Sequence, residues 1–143
     1  AKGFSSTGLS IYIGEQLTGL HSVSPFLIVV VTAFMVSFLT ELTSNTAVTQ
    51  MLLPIVASVS VAIGMNPLIL MITVTISASM AFMLPVATPP NTILFAGGRI
   101  RIFEMAKTGF ALNIIGVIIV SMLVYFFGDL IFGLGSFPAW ANP

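Results

Sequence analysis

Side chains able to do chemistry are scarce in this sequence and gather in two polar runs. Ser44-Asn45-Thr46, flanked by Thr40, Thr43 and Thr49, supplies hydroxyls and an amide. Thr88-Pro89-Pro90-Asn91 supplies a further hydroxyl and amide, beside backbone carbonyls that the prolines leave unpaired around Pro85 to Ala87. Neutral hard oxygens of this kind suit an alkali cation. A helix that restarts after each run turns unpaired N–H groups toward the same region, and helix N-termini attract anions. Cation-binding oxygens beside anion-binding amides form the layout of a cation-coupled anion transporter.

The rest of the inventory excludes other chemistries. There is no cysteine and one histidine, His21, and the acids are scattered at Glu15, Glu41, Glu104 and Asp129. Those residues make no nucleophile–base pair and no zinc site, so an enzyme is not expected. Four basic residues at zero net charge cannot neutralise a phosphate backbone, so no nucleic-acid partner is expected.

Both runs need elements to hold them, and composition says which kind. Charged residues make 6% of the chain and hydrophobic ones 57%, with a mean hydropathy of +1.16. A water-soluble domain carries about 25% charged residues. An all-α protein embedded in a lipid bilayer is therefore expected. Uncharged stretches of 25, 57 and 21 residues separate Glu15 from Glu41, Glu41 from Arg99, and Lys107 from Asp129. A helix crossing the hydrocarbon takes about 20 residues. The middle stretch accordingly holds at least two embedded segments.

Six segments follow. Residues 1–24 read as an amphipathic helix at the membrane surface. Residues 25–63 are two apolar arms around Ser44-Asn45-Thr46, closed by the turn Gly64-Met65-Asn66-Pro67. The stretch 67–98 has 32 residues, too many for one straight crossing and too few for two. Its two adjacent prolines predict a helix broken in mid-membrane. Residues 99–108 form a charged amphipathic link, 109–127 a plain transmembrane helix, and 128–143 an interfacial tail with Phe137 and Trp140. Arg99, Arg101 and Lys107 place the link in the cytoplasm and the C-terminus outside.

Charge alone leaves two arrangements for residues 25–63, namely two full crossings or a hairpin that enters and returns. In the second, Ser44-Asn45-Thr46 is buried at membrane depth, where a non-helical turn persists only against protein or a water-filled cavity. In the first it is a cytoplasmic turn. An arm covering 25–43 would be about 28 Å long if wholly helical, which is long for a re-entrant arm.

Thr40-Glu41-Leu42-Thr43-Ser44-Asn45-Thr46-Ala47, followed by Pro85-Val86-Ala87-Thr88-Pro89-Pro90-Asn91, closely resembles the C-terminal half of the divalent anion:sodium symporter family. The resemblance runs from about Gly8 to Pro138. It implies an integral protein of the bacterial inner membrane, a homodimer of two inverted repeats. Each repeat has a re-entrant hairpin tipped by Ser-Asn-Thr and a helix unwound at mid-membrane. It further implies that Thr40, Thr43, Asn45 and Ala87 hold a co-transported sodium ion, largely through carbonyl oxygens. Ser44, Asn45, Thr46, Thr88 and Pro89 would meet one end of a dicarboxylate, with Glu41 and Asn91 in support. Transport in the family is an elevator movement of this domain against a scaffold.

One Ser-Asn-Thr and one interrupted helix are present, so the chain reads as the second repeat of a longer protein, needing an N-terminal repeat to transport. The competing expectation is a non-transporting helical membrane subunit that docks on a partner. Glu41 is expected to bond the hairpin tip and support the sodium site, and Asn113 to bond a neighbouring helix.

Overall fold

The structure, a computed structural model, describes residues 23–98, 100–136 and 138–141. The expected surface helix over 1–24, with Glu15 and His21, lies outside the described residues save for its last two positions. The side chains of Arg99, Phe137 and Trp140 lie outside them as well. Every regular element described is helical: α1 Pro25–Leu39, α2 Asn45–Ala62, α3 Pro67–Ser77, α4 Pro89–Ala96, α5 Ile102–Phe132 and a short 3-10 turn, Ala139–Ala141.

Local sequence explains most of the boundaries. Pro25 and Pro67 start α1 and α3, where a missing N–H costs nothing. Ser24 and Asn66 cap these helices, their side chains accepting the N–H groups of Leu27 and Leu68 at 3.3 and 3.0 Å. Gly64, at φ 71°, makes the reversal between α2 and α3, a left-handed backbone that glycine adopts freely. Gly133, at φ 64°, ends α5 in the same way.

Lengths sort the helices into two kinds. α2 (18 residues) and α5 (31 residues) are long and apolar enough to cross a membrane. α3 (11 residues) and α4 (8 residues) rise only about 16 and 12 Å, near half of a hydrocarbon layer about 30 Å thick. α5 rises about 46 Å. It absorbs most of the segment expected as a link, beginning at Ile102, because Glu104 folds back to accept the Arg101 N–H at 3.1 Å and opens the helix there.

α3 is the centre of the packing, in contact with α1, α2 and α5. Val29, Leu70 and Val74 are fully enclosed, while Val120 and Val124 of α5 close over α3 with Leu134. Phe26 stacks edge-on against Tyr125 and Phe38 against Phe110, so α1 runs antiparallel to α5. Small polar residues sit at these interfaces: Ser37, Thr73, Ser77 and Ser121 are wholly buried. The outer face of α5 is the reverse, with Ile115, Ile118, Ile119, Met122, Phe126 and Leu130 half or more exposed. So continuous an apolar face matches lipid or protein contact, not water.

The largest departure from expectation lies in 67–98. Pro89 and Pro90 are not inside the interruption, though Pro85 is. They open α4, and the non-helical stretch runs from Ala78 to Thr88, displaced toward the N-terminus. Pro85 bars a helix over the turn before it, while nothing in Ala78-Ser79-Met80 breaks one locally, and there the chain is held by tertiary contacts.

Candidate functional site

α1 ends at Leu39 and α2 begins at Asn45, leaving Thr40–Ser44 as a short connection at the inner end of both helices. Ser44 is the N-cap of α2 (φ −65°, ψ 129°), and its carbonyl accepts the Val48 N–H at 2.9 Å. Its hydroxyl makes no capping bond. That leaves the hydroxyl free, together with the first-turn N–H groups of Asn45, Thr46 and Ala47, which have no partner inside an α-helix. Opposite lie Val86, Ala87, Thr88 and Pro89. Thr88 is the N-cap of α4 in extended geometry (φ −142°, ψ 152°), again without a side-chain capping bond.

The two stretches face each other across a cavity of about 450 Å³ lined by Glu41 through Thr46 and Val86 through Pro89. Most of the residues singled out from sequence come together here: Thr43, Ser44, Asn45, Thr46, Ala87, Thr88 and Pro89. Two do not line it. Thr40 is fully buried behind the wall, its hydroxyl donating to the Ala78 carbonyl at 2.8 Å and also meeting the Asn45 side-chain amide. Asn91 lies inside α4, its amide donating to the carbonyls of Ala81 and Leu84 at 2.8 and 3.1 Å.

The expected symmetry of two amide-bearing helix starts needs correcting. Pro89 and Pro90 have no N–H, so the first turn of α4 turns its dipole toward the cavity with few donors. The amides come from α2. The α4 side supplies the Thr88 hydroxyl and the carbonyls of Val86 and Ala87, the Thr88 carbonyl being taken by the Thr92 N–H and hydroxyl at 3.1 and 3.3 Å.

Glu41 joins the first wall to the backbone just ahead of the second. It is 3% exposed and accepts four hydrogen bonds from neutral donors. Oε1 receives the N–H groups of Phe82 and Met83 at 2.7 and 2.9 Å and the Asn113 amide at 2.8 Å. Oε2 receives the Leu84 N–H at 3.1 Å. Three successive backbone donors on one carboxylate are what draws this stretch out of the helix. Of the carbonyls thereby freed, Ala78 takes the Thr40 hydroxyl at 2.8 Å and Met80 the Ser37 hydroxyl at 3.1 Å; Pro85, whose helical partner would be the N–H that Pro89 lacks, takes the Thr92 hydroxyl at 2.6 Å. Glu41 therefore bonds the opposite strand of the site, where sequence reasoning had it bonding the hairpin tip.

Gly109 and Asn113 were not read as site residues. A Cβ at Gly109 would fall on the backbone of Phe82 and Met83, so glycine lets α5 lie directly against the unwound stretch. Asn113, wholly buried, is the α5 donor to Glu41. No local signal marks Gly109. For Asn113, an amide in an otherwise apolar helix was the one available sign. No group of three or more His, Cys, Asp or Glu able to hold a metal occurs among the described residues.

Residues 1–134 match the family described as the sodium:sulfate symporter transmembrane region. The sodium/citrate cotransporter of Rattus norvegicus is 47% identical over 142 residues, covering 99% of this chain and 25% of that protein. Solute carrier family 13 member 2 of Homo sapiens is 47% identical over 142 residues, 99% of this chain and 24% of its own length. The sodium-dependent dicarboxylate transporter SdcS of Staphylococcus aureus strain MRSA252 is 50% identical over 134 residues, 94% of this chain and 26% of its own. These relatives are transporters, not enzymes, and the chain spans about a quarter of their length. On this match, reaching across nearly all of its residues, the chain belongs to the sodium:sulfate symporter family.

Proposed function

We propose that the chain is the C-terminal part of a secondary active carrier that couples sodium entry to uptake of a divalent anion, a C4-dicarboxylate such as succinate. The observation that carries the reading is the cavity joining Thr43–Thr46 to Ala87–Pro89, with cation-suited oxygens on one side and free amides on the other. The names of the relatives, which specify citrate and dicarboxylates, favour a carboxylate over sulfate as the guest.

In this reading sodium is held by Thr43, Asn45 and Ala87, with Thr40 contributing its carbonyl from behind the wall. One carboxylate of the guest meets the Ser44 and Thr46 hydroxyls and the α2 amides, and Thr88 and Pro89 line its flank. Sodium then offsets part of the guest's negative charge, so each binds better in the presence of the other. Residues 25–63 are the re-entrant hairpin and 78–88 the unwound part of a helix at mid-membrane, an assignment that suits the half-length α3 and α4. Glu41 ties α1, the unwound stretch and α5 into one body, which suits elevator movement as a rigid unit. The N-terminal repeat supplies the other half of the site, the working form is a homodimer, and the C-terminus lies outside a bacterial inner membrane.

The test uses the full-length protein in detergent. Succinate or citrate raises its resistance to heat only when sodium is present, and Asn45→Ala with Thr88→Ala abolishes both the protection and uptake. Protection independent of sodium favours the non-transporting subunit, and retained uptake in the double variant refutes the site.

A further inference from the structure

The geometry points to Asn113 as a positioning residue for cation binding, acting through Glu41 from a helix that does not touch the cavity. This rests on the function proposed above. Asn113 is 0% exposed in the middle of α5, and its Nδ2 donates to Glu41 Oε1 at 2.8 Å. Its other amide atom, Oδ1, is buried with no hydrogen-bond partner. The reverse orientation would set that oxygen against a carboxylate oxygen, so Glu41 dictates which way the amide faces.

An orphaned buried acceptor costs folding about as much as one hydrogen bond to a charged group contributes. The side chain is thus close to neutral for stability, and its value lies in where it puts Glu41. Glu41 belongs to the cavity wall itself, one residue from Thr40 and two from Thr43. Its remaining bonds all go to the 82–84 backbone, three residues ahead of Ala87. Asn113 is the only donor on this carboxylate, among the described residues, that comes from α5, the other three being backbone groups of residues 82–84. Without it Oε1 keeps the Phe82 and Met83 N–H groups but Glu41 loses its tie to α5, and the separation between the 40–46 and 86–88 oxygens is less closely set. A cation needs several oxygens at near-fixed distances, so it senses that loss before the anion does. Lys107, Glu104 and Asp129, the other charged residues of α5, make no hydrogen bond to Glu41.

The experiment compares Asn113→Leu and Asn113→Gln in the full-length protein reconstituted into liposomes, with sodium-dependent succinate uptake measured against sodium concentration. Leu keeps the branched shape of Asn without the donor, as a bulkier side chain; Gln keeps the donor with one added methylene. Asn113→Leu should raise the sodium half-saturation about tenfold with the maximal rate within about twofold and heat resistance little changed. Asn113→Gln should lie within about threefold of the parent. A residue that merely packs predicts lower heat resistance in both variants, Leu at least as much as Gln since both overfill the site, with no selective change in the sodium half-saturation. Should Asn113→Leu not reach the membrane, Asn113→Ala takes its place with the same expectation. Parental sodium affinity without the donor, or a Gln variant as impaired as the Leu variant, overturns the inference. If the parent itself shows no sodium dependence, the proposed function fails and not Asn113 alone.

Discussion

Replacing Glu41 by Gln keeps the shape of the side chain and tests what its carboxylate does. The native group accepts three N–H donors on Oε1 and one on Oε2, at 2.7 to 3.1 Å. In the Gln variant Oε1 retains its three partners as ordinary amide hydrogen bonds, and Nε2 meets the Leu84 N–H donor to donor. A hydrogen bond to a charged group contributes ~1.5–3 kcal/mol, and a neutral one about 1. Losing one bond and weakening three therefore removes ~3–5 kcal/mol from the ordering of residues 82–84, of which relaxation and water recover a part. If half of that ordering is drawn on when the site binds, both half-saturation constants rise by about ten- to sixtyfold, at 1.4 kcal/mol per decade. The assay is sodium- and succinate-dependent uptake by the full-length variant in liposomes, normalised to reconstituted protein. Half-saturations within about twofold of the parent would refute the reasoning, because the carboxylate would then not be what shapes the second wall.

Further consequences follow from the same contacts. Gly109→Ala places a methyl group on the Phe82 and Met83 backbone, which cannot swing aside as a side chain can; a loss of about 1–3 kcal/mol is expected, seen as a lower melting temperature with weakened sodium dependence. Asn91→Leu leaves the carbonyls of Ala81 and Leu84 without their amide donor. It should lower thermal stability by about 1–3 kcal/mol. Asn66→Ala removes the α3 cap and two bonds to the Leu134 and Ser136 carbonyls, both 2.8 Å. It should cost about 2–4 kcal/mol in melting experiments while leaving the sodium half-saturation unchanged, since these contacts lie at the end of α3 away from the cavity.

What could be read from sequence was what local chemistry decides. Gly64, Asn66 and Pro67 mark a boundary through a left-handed backbone, a cap and a pre-set φ, and the chain turns there. Ser44-Asn45-Thr46 and Thr88-Pro89 were recognisable as runs unsuited to lipid, and the cavity gathers them. What escaped was decided across long sequence separations. The helix was expected to break at its prolines, yet it ends at Ser77 because a carboxylate from residue 41 captures the N–H groups of 82–84. Arg101, Glu104 and Lys107 suggest a link, whereas Glu104 folds back on Arg101 to start a helix at Ile102 that continues past Lys107. Asn113 was read as a bond to some neighbouring helix; its partner, Glu41, could not be named without the packing of α1 on α5. Composition reports that polar groups are embedded, but not which of them satisfy one another.

The central claim, that residues 42–46 and 86–89 enclose one site for sodium and a dicarboxylate, is tested most directly by thiol labelling. Leu42 and Val86 line opposite walls, are 75% and 79% exposed, and hold no proposed ligand atom in their side chains. With no cysteine in this sequence, Leu42→Cys and Val86→Cys each introduce one thiol into the segment. A water-soluble maleimide applied to the full-length protein should label both, and sodium with succinate should slow both reactions together, by about tenfold or more, where succinate without sodium does not. Labelling of either position at the same rate with and without the two solutes would contradict the account.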